Sequence, residues 1–201
     1  MAKITAQMVK ELRQATGAGI LETKKALEAS DGNFDKAVDL LREKGAARAA
    51  KRVGRDANEG LIKMYSHTGG RIGVMLELNC ETDFVAKNET FLDLAHNVAL
   101  QIAAMSPKYV SSEDVDKTEL DRELDVLRSQ ALAEGKPEHI VEKIVSGRLS
   151  KFYEEVCLLE QDFVKDDSKK IKDLVTETIS ATGENIIIGR FARFEIGESK
   201  E

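Results

Sequence analysis

The chain has 201 residues, a formal net charge of −6, 42% hydrophobic and 33% charged residues, and 5% aromatics. That size fits one compact domain or a small one plus a medium one, and the apolar fraction excludes disorder of the whole chain. The acidic balance argues against general affinity for nucleic acid, and no run approaches the roughly 18 apolar residues of a membrane span.

The opening "MAKITAQMVKELRQ" lacks the apolar stretch and small-residue cleavage pattern of a signal peptide, so a cytoplasmic protein is expected. Thr5 is placed to cap a first helix in which Met8, Val9 and Leu12 recur at helical spacing, and the glycines of "TGAG", Thr16 to Gly19, break it. A second helix carries Leu21, Lys24, Lys25 and Leu27 up to "SDGN". A third begins near Asn33 or Asp35, carries Phe34, Val38 and Leu41, and is expected to end at Gly45. These three short helices can share one core, marginal in isolation. From Gly45 to Arg55, "GAARAAKRVGR" has no large apolar stripe and reads as a solvated linker helix.

The pattern then changes. "EGLIKMYSHTGGRIGVMLELNCE" holds two strand-like runs around Gly69 and Gly70, with Ile72, Val74, Leu76 and Leu78 alternating onto one face of a β-hairpin. Asn88 is placed to cap a long helix with a stripe of Phe91, Leu94, Ala95, Val98, Ile102 and Met105, which Pro107 stops. Helical runs at Thr118 to Glu134 and Pro137 to about Val156 flank "EGKP" and predict a helical hairpin. After an irregular "CLLEQDFVKDD", Ser168 is placed to cap a helix carrying Ile171, Leu174, Val175 and Ile179, which Gly183 ends. In "NIIIGRFARFEIG", Ile186, Ile188, Ala192, Phe194 and Ile196 fall on one side of a strand, and the hairpin is its available partner. The expected fold class is α+β. It has a three-helix unit at 1–45 resembling ubiquitin-associated domains, a basic linker at 46–56, and a core domain at 57–201 with a three-stranded antiparallel sheet packed with helices and a helical hairpin.

Catalytic chemistry finds no support. His67, His96 and His139 lie in separate segments without a carboxylate or nucleophile at a telling spacing, and read as surface or boundary residues. Cys80 and Cys157 are far apart with no C-x-x-C, so buried structural thiols are expected rather than a metal or redox site. No phosphate-cradling Gly-rich motif is present, and no cofactor is implied. Arg48, Lys51, Arg52 and Arg55 can contact RNA, but the acidic total and the lack of stacking aromatics favour a solvated or protein-contacting face. The "TGAG" loop is a tight helix connection, or a place where glycines let a partner's backbone approach. Two readings of "TDFVAK" stand side by side. In one, Phe84 folds inward while Thr82 or Asp83 caps the next helix; in the other, Phe84 is an exposed wedge that pushes into a partner.

Two stretches carry a family resemblance: "LRQATGAGILETKKAL", Leu12 to Leu27, and "ELNCETDFVAKNETF", Glu77 to Phe91. With "EGKPEHIVEKIVSGRLSKF" and "RFARFEIGE", they make nearly the whole chain similar to bacterial elongation factor Ts. The family commonly has two methionines and then Asp-Cys after its Gly-Ala-Gly, where this chain has Ile20, Leu21, Glu22 and Thr23. Longer members carry a second sheet-bearing subdomain, a protruding coiled coil and a C-terminal helical module, so this chain resembles the short form.

The resemblance implies a guanine nucleotide exchange factor for elongation factor Tu, acting in translation elongation without covalent chemistry, and so not an enzyme. It implies that residues 1–45 dock on the GTPase through Leu12, Arg13, Thr16, Gly17, Ala18, Gly19, Ile20 and Leu21. The corner of Thr82, Asp83, Phe84 and Val85 would disturb the magnesium and phosphate site, so that GDP leaves and GTP reloads. Two short chains are expected to pair through their sheets as a homodimer, with no direct nucleic-acid or membrane partner. Two rivals remain at this point, a ubiquitin-associated-like adaptor and an RNA-binding accessory protein.

Overall fold

The computed structural model describes residues 4–198. Two compact units emerge, one comprising residues 4–63, 77–96 and 173–189, the other 64–76, 97–172 and 190–198. The fold is α+β, with a three-stranded antiparallel sheet and a two-stranded one among the described residues.

In the first unit, α1 (Ala6–Thr16) starts where the Thr5 hydroxyl oxygen accepts the Met8 N–H at 3.2 Å. It ends at Gly17, whose positive φ of 65° lets its N–H reach the Arg13 carbonyl at 2.8 Å. Helices α2 (Ile20–Ala29) and α3 (Phe34–Ala50) complete the bundle, and the Asn33 side chain caps α3 by accepting the Lys36 N–H. Leu12, Ala26, Leu27, Ala37 and Leu41 form its core, with Ile4, Met8, Val9, Ala18, Val38 and Leu40 packed around them. Contrary to the expected stop at Gly45, α3 runs on to Ala50, so only the first part of the basic linker is helical, as a continuation of α3, and turns follow from Lys51. The physical reason is close approach. Gly45 is buried, and a Cβ there would lie 3.1 Å from the Ser180 hydroxyl.

The hairpin forms from β1 (Glu59–Ser66) and β2 (Ile72–Cys80), closed by Gly69 and Gly70 at positive φ. Val74, Leu76, Leu78 and Cys80 are buried in alternation along β2, as the period of two requires. A one-turn helix α4 (Asp83–Ala86) follows, then α5 (Glu89–Met105), where the Asn88 side chain accepts the Thr90 N–H at 2.8 Å. Phe91, Leu94, Ala95, Val98 and Ile102 are buried as expected, but Met105, at the helix end, is half exposed.

In the second unit, α6 (Lys117–Ala133) and α7 (Glu138–Val156) form the helical hairpin around Leu127, Ala131, Val141 and Val145. Gly135, at φ 72°, turns the chain between them. The stretch expected to be irregular instead makes an antiparallel pair, β3 (Asp162–Phe163) and β4 (Asp166–Lys170). Ser168 therefore lies in a strand, donating its hydroxyl to Asp166 at 2.6 Å, and does not cap α8 (Ile171–Thr182). Long-range amides hold this pair. The fully buried Gln101 donates to the Gln161 side chain and the Asp162 carbonyl and accepts the Val164 N–H.

The last strand, β5 (Ile186–Glu195), pairs with β2 to give the order β1-β2-β5. Its burial corrects the one-sided reading. Ile186 and Ile188 are buried, then Phe191 and Arg193 are the half-buried positions, and Phe194 and Ile196 stand exposed. In a regular strand these two sets lie on opposite faces, so the first half of β5 is covered on one face and the second half on the other, where Arg193 donates to the Ala103 carbonyl at 3.4 Å.

Candidate partner-binding site

Beyond β2, Glu81 leads into Thr82, whose extended backbone (φ −133°, ψ 155°) starts α4. The Thr82 hydroxyl oxygen accepts the Val85 N–H at 3.4 Å, and the Thr82 carbonyl accepts the Ala86 N–H at 3.2 Å. Within this single turn Phe84 points outward, 81% exposed, which overturns the reading that buries it. Val85 is half-buried beneath, while Asp83 is exposed and paired with Lys87 at 2.7 Å. That pair, one helical turn long and in solvent, holds the Asp83 carboxyl below its usual range but contributes little to stability.

The corner is tied down from a distant part of the sequence. Gly183 ends α8 in the left-handed region, which delivers Glu184 and Asn185 to the start of β5. One Glu184 oxygen accepts the Thr82 hydroxyl at 2.7 Å, and the other accepts the Thr82 N–H at 3.0 Å. Reciprocally, Glu81 accepts the Asn185 N–H at 2.7 Å and pairs with Arg55 at 3.1 Å. Asn185, almost fully buried, donates its side-chain amide to the Arg55 carbonyl at 2.8 Å. The Asn185 N–H, and then the Arg55 guanidinium, keep the Glu81 carboxyl below its usual range. The buried Cys80 thiol donates to the Thr82 carbonyl at 3.1 Å; burial first, and then the Glu184 charge, push its pKa up, so it stays a protonated donor. Burial pushes the other free thiol, Cys157, up to about 11, and both cysteines are buried, as expected.

The loop between α1 and α2 presents the other expected contact residues. Arg13, Gly17, Gly19, Ile20 and Leu21 are exposed, with Ile20 and Leu21 at 63% and 64%. Leu12 is fully buried, so it supports this loop from the core and offers no surface. Thr16 and Ala18 are half-buried. Local bonds fix the conformation: the Thr16 hydroxyl donates to the Leu12 carbonyl at 2.7 Å, and the buried Thr23 hydroxyl donates to the Gly19 carbonyl at 2.9 Å. Glu22 pairs with Arg48 on α3. Arg13, Gly17 and Ile20 line a groove with Val9, Gln14 and Lys24.

The three histidines are exposed and dispersed, and among the described residues no group of three or more His, Cys, Asp or Glu is placed to hold a metal ion. No helix among the described residues is long and apolar enough to cross a membrane. Sequence reasoning missed Glu81, Glu184 and Asn185 and read Arg55 only as a surface or contact residue, whereas all four hold the corner in place. The one available signal was Gly183, since a helix stop directly before a strand sets the next two residues at a sheet end.

A family profile described as Elongation factor TS matches residues 1–198. The chain is 60% identical over 201 residues to elongation factor Ts of Desulfitobacterium hafniense, covering 100% of this chain and 93% of that protein. It is 58% identical over 197 residues to elongation factor Ts of Oleidesulfovibrio alaskensis, covering 98% and 100%. With elongation factor Ts of Thermoanaerobacter pseudethanolicus the identity is 56% over 198 residues, covering 98% and 97%. Matches of this length and identity show that the chain belongs to the elongation factor Ts family of translation elongation factors.

Proposed function

We propose that this protein is the nucleotide exchange factor of elongation factor Tu, and that exchange works through the Thr82, Asp83, Phe84 and Val85 corner. The observation that carries the reading is an aromatic ring 81% exposed on a corner whose backbone is held by carboxylates. Exposing a ring costs hydrophobic free energy that binding recovers, so a fixed, exposed Phe is a contact group. The three-helix unit at 1–45 docks on the GTPase through Ile20, Leu21 and the glycines of the loop, while Phe84 enters beside the magnesium and phosphate site. Displacing groups that organise the magnesium removes charge neutralisation from the diphosphate, and GDP leaves. Linkage fixes the sign: if the factor binds the nucleotide-free GTPase more tightly than its GDP complex, GDP weakens factor binding by the same ratio. No covalent step is involved.

Homodimerisation is the second part of the proposal. Met64, Met75 and Phe194 are exposed apolar side chains on the three sheet strands, and pairing with a second chain removes them from water. Light scattering at micromolar concentration should give twice the chain mass; a monomeric mass removes this part.

The test of exchange is paired. Chemical denaturation of Phe84→Ala should move stability by no more than about 0.5 kcal/mol, as for an exposed residue. Stopped-flow release of fluorescent GDP from elongation factor Tu should lose most of its acceleration. A folded Phe84→Ala protein with full exchange activity would sink the mechanism.

A further inference from the structure

We infer that Glu184 is a positioning residue for exchange, acting through Thr82 to hold the corner that carries Phe84; the inference rests on the exchange mechanism proposed above. The reasoning begins with mechanics. A group that displaces part of a partner must yield less than what it displaces, and a four-residue helix is too short to be stiff by itself. Stiffness has to come from outside the helix. At Thr82 every polar group is engaged: the N–H and hydroxyl hydrogen go to Glu184, the hydroxyl oxygen takes the Val85 N–H, and the carbonyl takes the Cys80 thiol and the Ala86 N–H.

Among the described residues, Glu184 is the hydrogen-bond partner that connects Thr82 to another part of the chain, 102 positions away. Its two oxygens meet two donors of one residue, which fixes both the position and the rotation of the helix start. The neighbouring bonds run the other way, from Asn185 to Glu81 and Arg55, so adjacent residues on each segment hold the facing segment. A load on Phe84 is thereby passed to the junction of α8 and β5 rather than absorbed by bending at Thr82. Glu184 never reaches the partner in this scheme. It determines how much of the docking energy appears as displacement of the GTPase site.

Stopped-flow GDP release, measured against factor concentration, separates this role from docking. Glu184→Ala removes both acceptors and should lower the maximum exchange rate about tenfold or more, since two hydrogen bonds are lost at once. The half-saturating concentration should change much less, because docking by the three-helix unit is untouched. Glu184→Gln keeps one acceptor oxygen but its amide nitrogen cannot accept, so it should fall between the wild type and Glu184→Ala. It also carries the test if the alanine variant does not fold, as judged by circular dichroism and thermal melting. The decisive comparison adds Phe84→Ala: in that background Glu184→Ala should cause no further loss of rate. An additive loss, or a folded Glu184 variant with undiminished maximum rate, overturns the positioning role while leaving Phe84 in place. Full exchange by Phe84→Ala alone overturns the mechanism and this role with it.

Discussion

Phe84 and the pair Ile20 and Leu21 both stand in solvent at the first turn of a helix, yet opposite means hold them there. Apart from the Glu22–Arg48 pair, the α1–α2 loop is fixed by bonds between residues at most five apart: Gly17 to Arg13, Thr16 to Leu12, and Thr23 to Gly19 and Ala18. The α4 corner is fixed by carboxylates meeting donors more than 100 residues away. A surface built from local bonds is set once its own helices pack, whereas the corner exists only when both distant segments are in place. The first arrangement suits a docking surface. The second suits a part that has to resist force.

The largest expected effect strikes the local side of this contrast from beneath. Leu12→Ala should destabilise the three-helix unit by about 2–5 kcal/mol, because Leu12 is fully buried at its centre. Chemical denaturation followed by the helical signal measures it, and a cost below about 1 kcal/mol would mean that the loop does not depend on that core. Next comes the surface. Ile20→Ser together with Leu21→Ser should leave folding nearly unchanged but weaken binding to elongation factor Tu about tenfold, in calorimetric titration. Unchanged affinity would remove the loop from the docking surface.

Gly17→Ala sharpens the comparison further. Nothing lies within 4 Å of where its Cβ would be, so the cost comes from a φ of 65° alone, about 1–2 kcal/mol. A change near zero in the denaturation midpoint would show that the loop relaxes freely into another turn.

What was legible in the sequence divides along the same line. Thr5, Asn33, Asn88, Gly17, Gly135 and Gly183 each announce an element end by chemistry acting within four residues, and each element end was read from them. The stripes of β2 and α5 are likewise periodic signals of one element. Failures came where a distant segment decides. Gly45 looks like a helix stop until Ser180 is known to pack against it, and β3–β4 looks irregular without Gln101 beneath it. Phe194 keeps the parity of Ile186, yet it is exposed because the cover over that face does not reach the second half of β5. The corner combines both cases, because Thr82 as a cap is a local signal while the exposure of Phe84 depends on the surrounding fold.

The smallest predicted effect is the one that acid should reveal, and it distinguishes the two kinds of anchoring by charge. The Glu22–Arg48 pair apart, the loop anchors are hydroxyls and backbone groups, which do not titrate, whereas the corner depends on carboxylates. For Glu81 the sign follows from the lowered folded-state value: relative to an ordinary 4.5, the native state binds its proton less readily than the unfolded one. The stabilisation by Glu81 is therefore complete above the ordinary value and is lost as pH falls through the lower, folded one. Because the carboxylate is partly exposed and faces Arg55, the change in global stability should be slight. The local signal should be clear. In a pH series of amide NMR spectra, the Asn185 N–H should move with a midpoint below 4.5, because its acceptor is the Glu81 carboxylate, while the amides of Gly17 and Thr23 should not follow that titration. An Asn185 amide that titrates at or above 4.5 would mean that the bond to Glu81 does not favour the charged carboxylate. The corner would then be anchored no differently from the loop, and the distinction between a stiff part and a docking surface would lose its electrostatic basis.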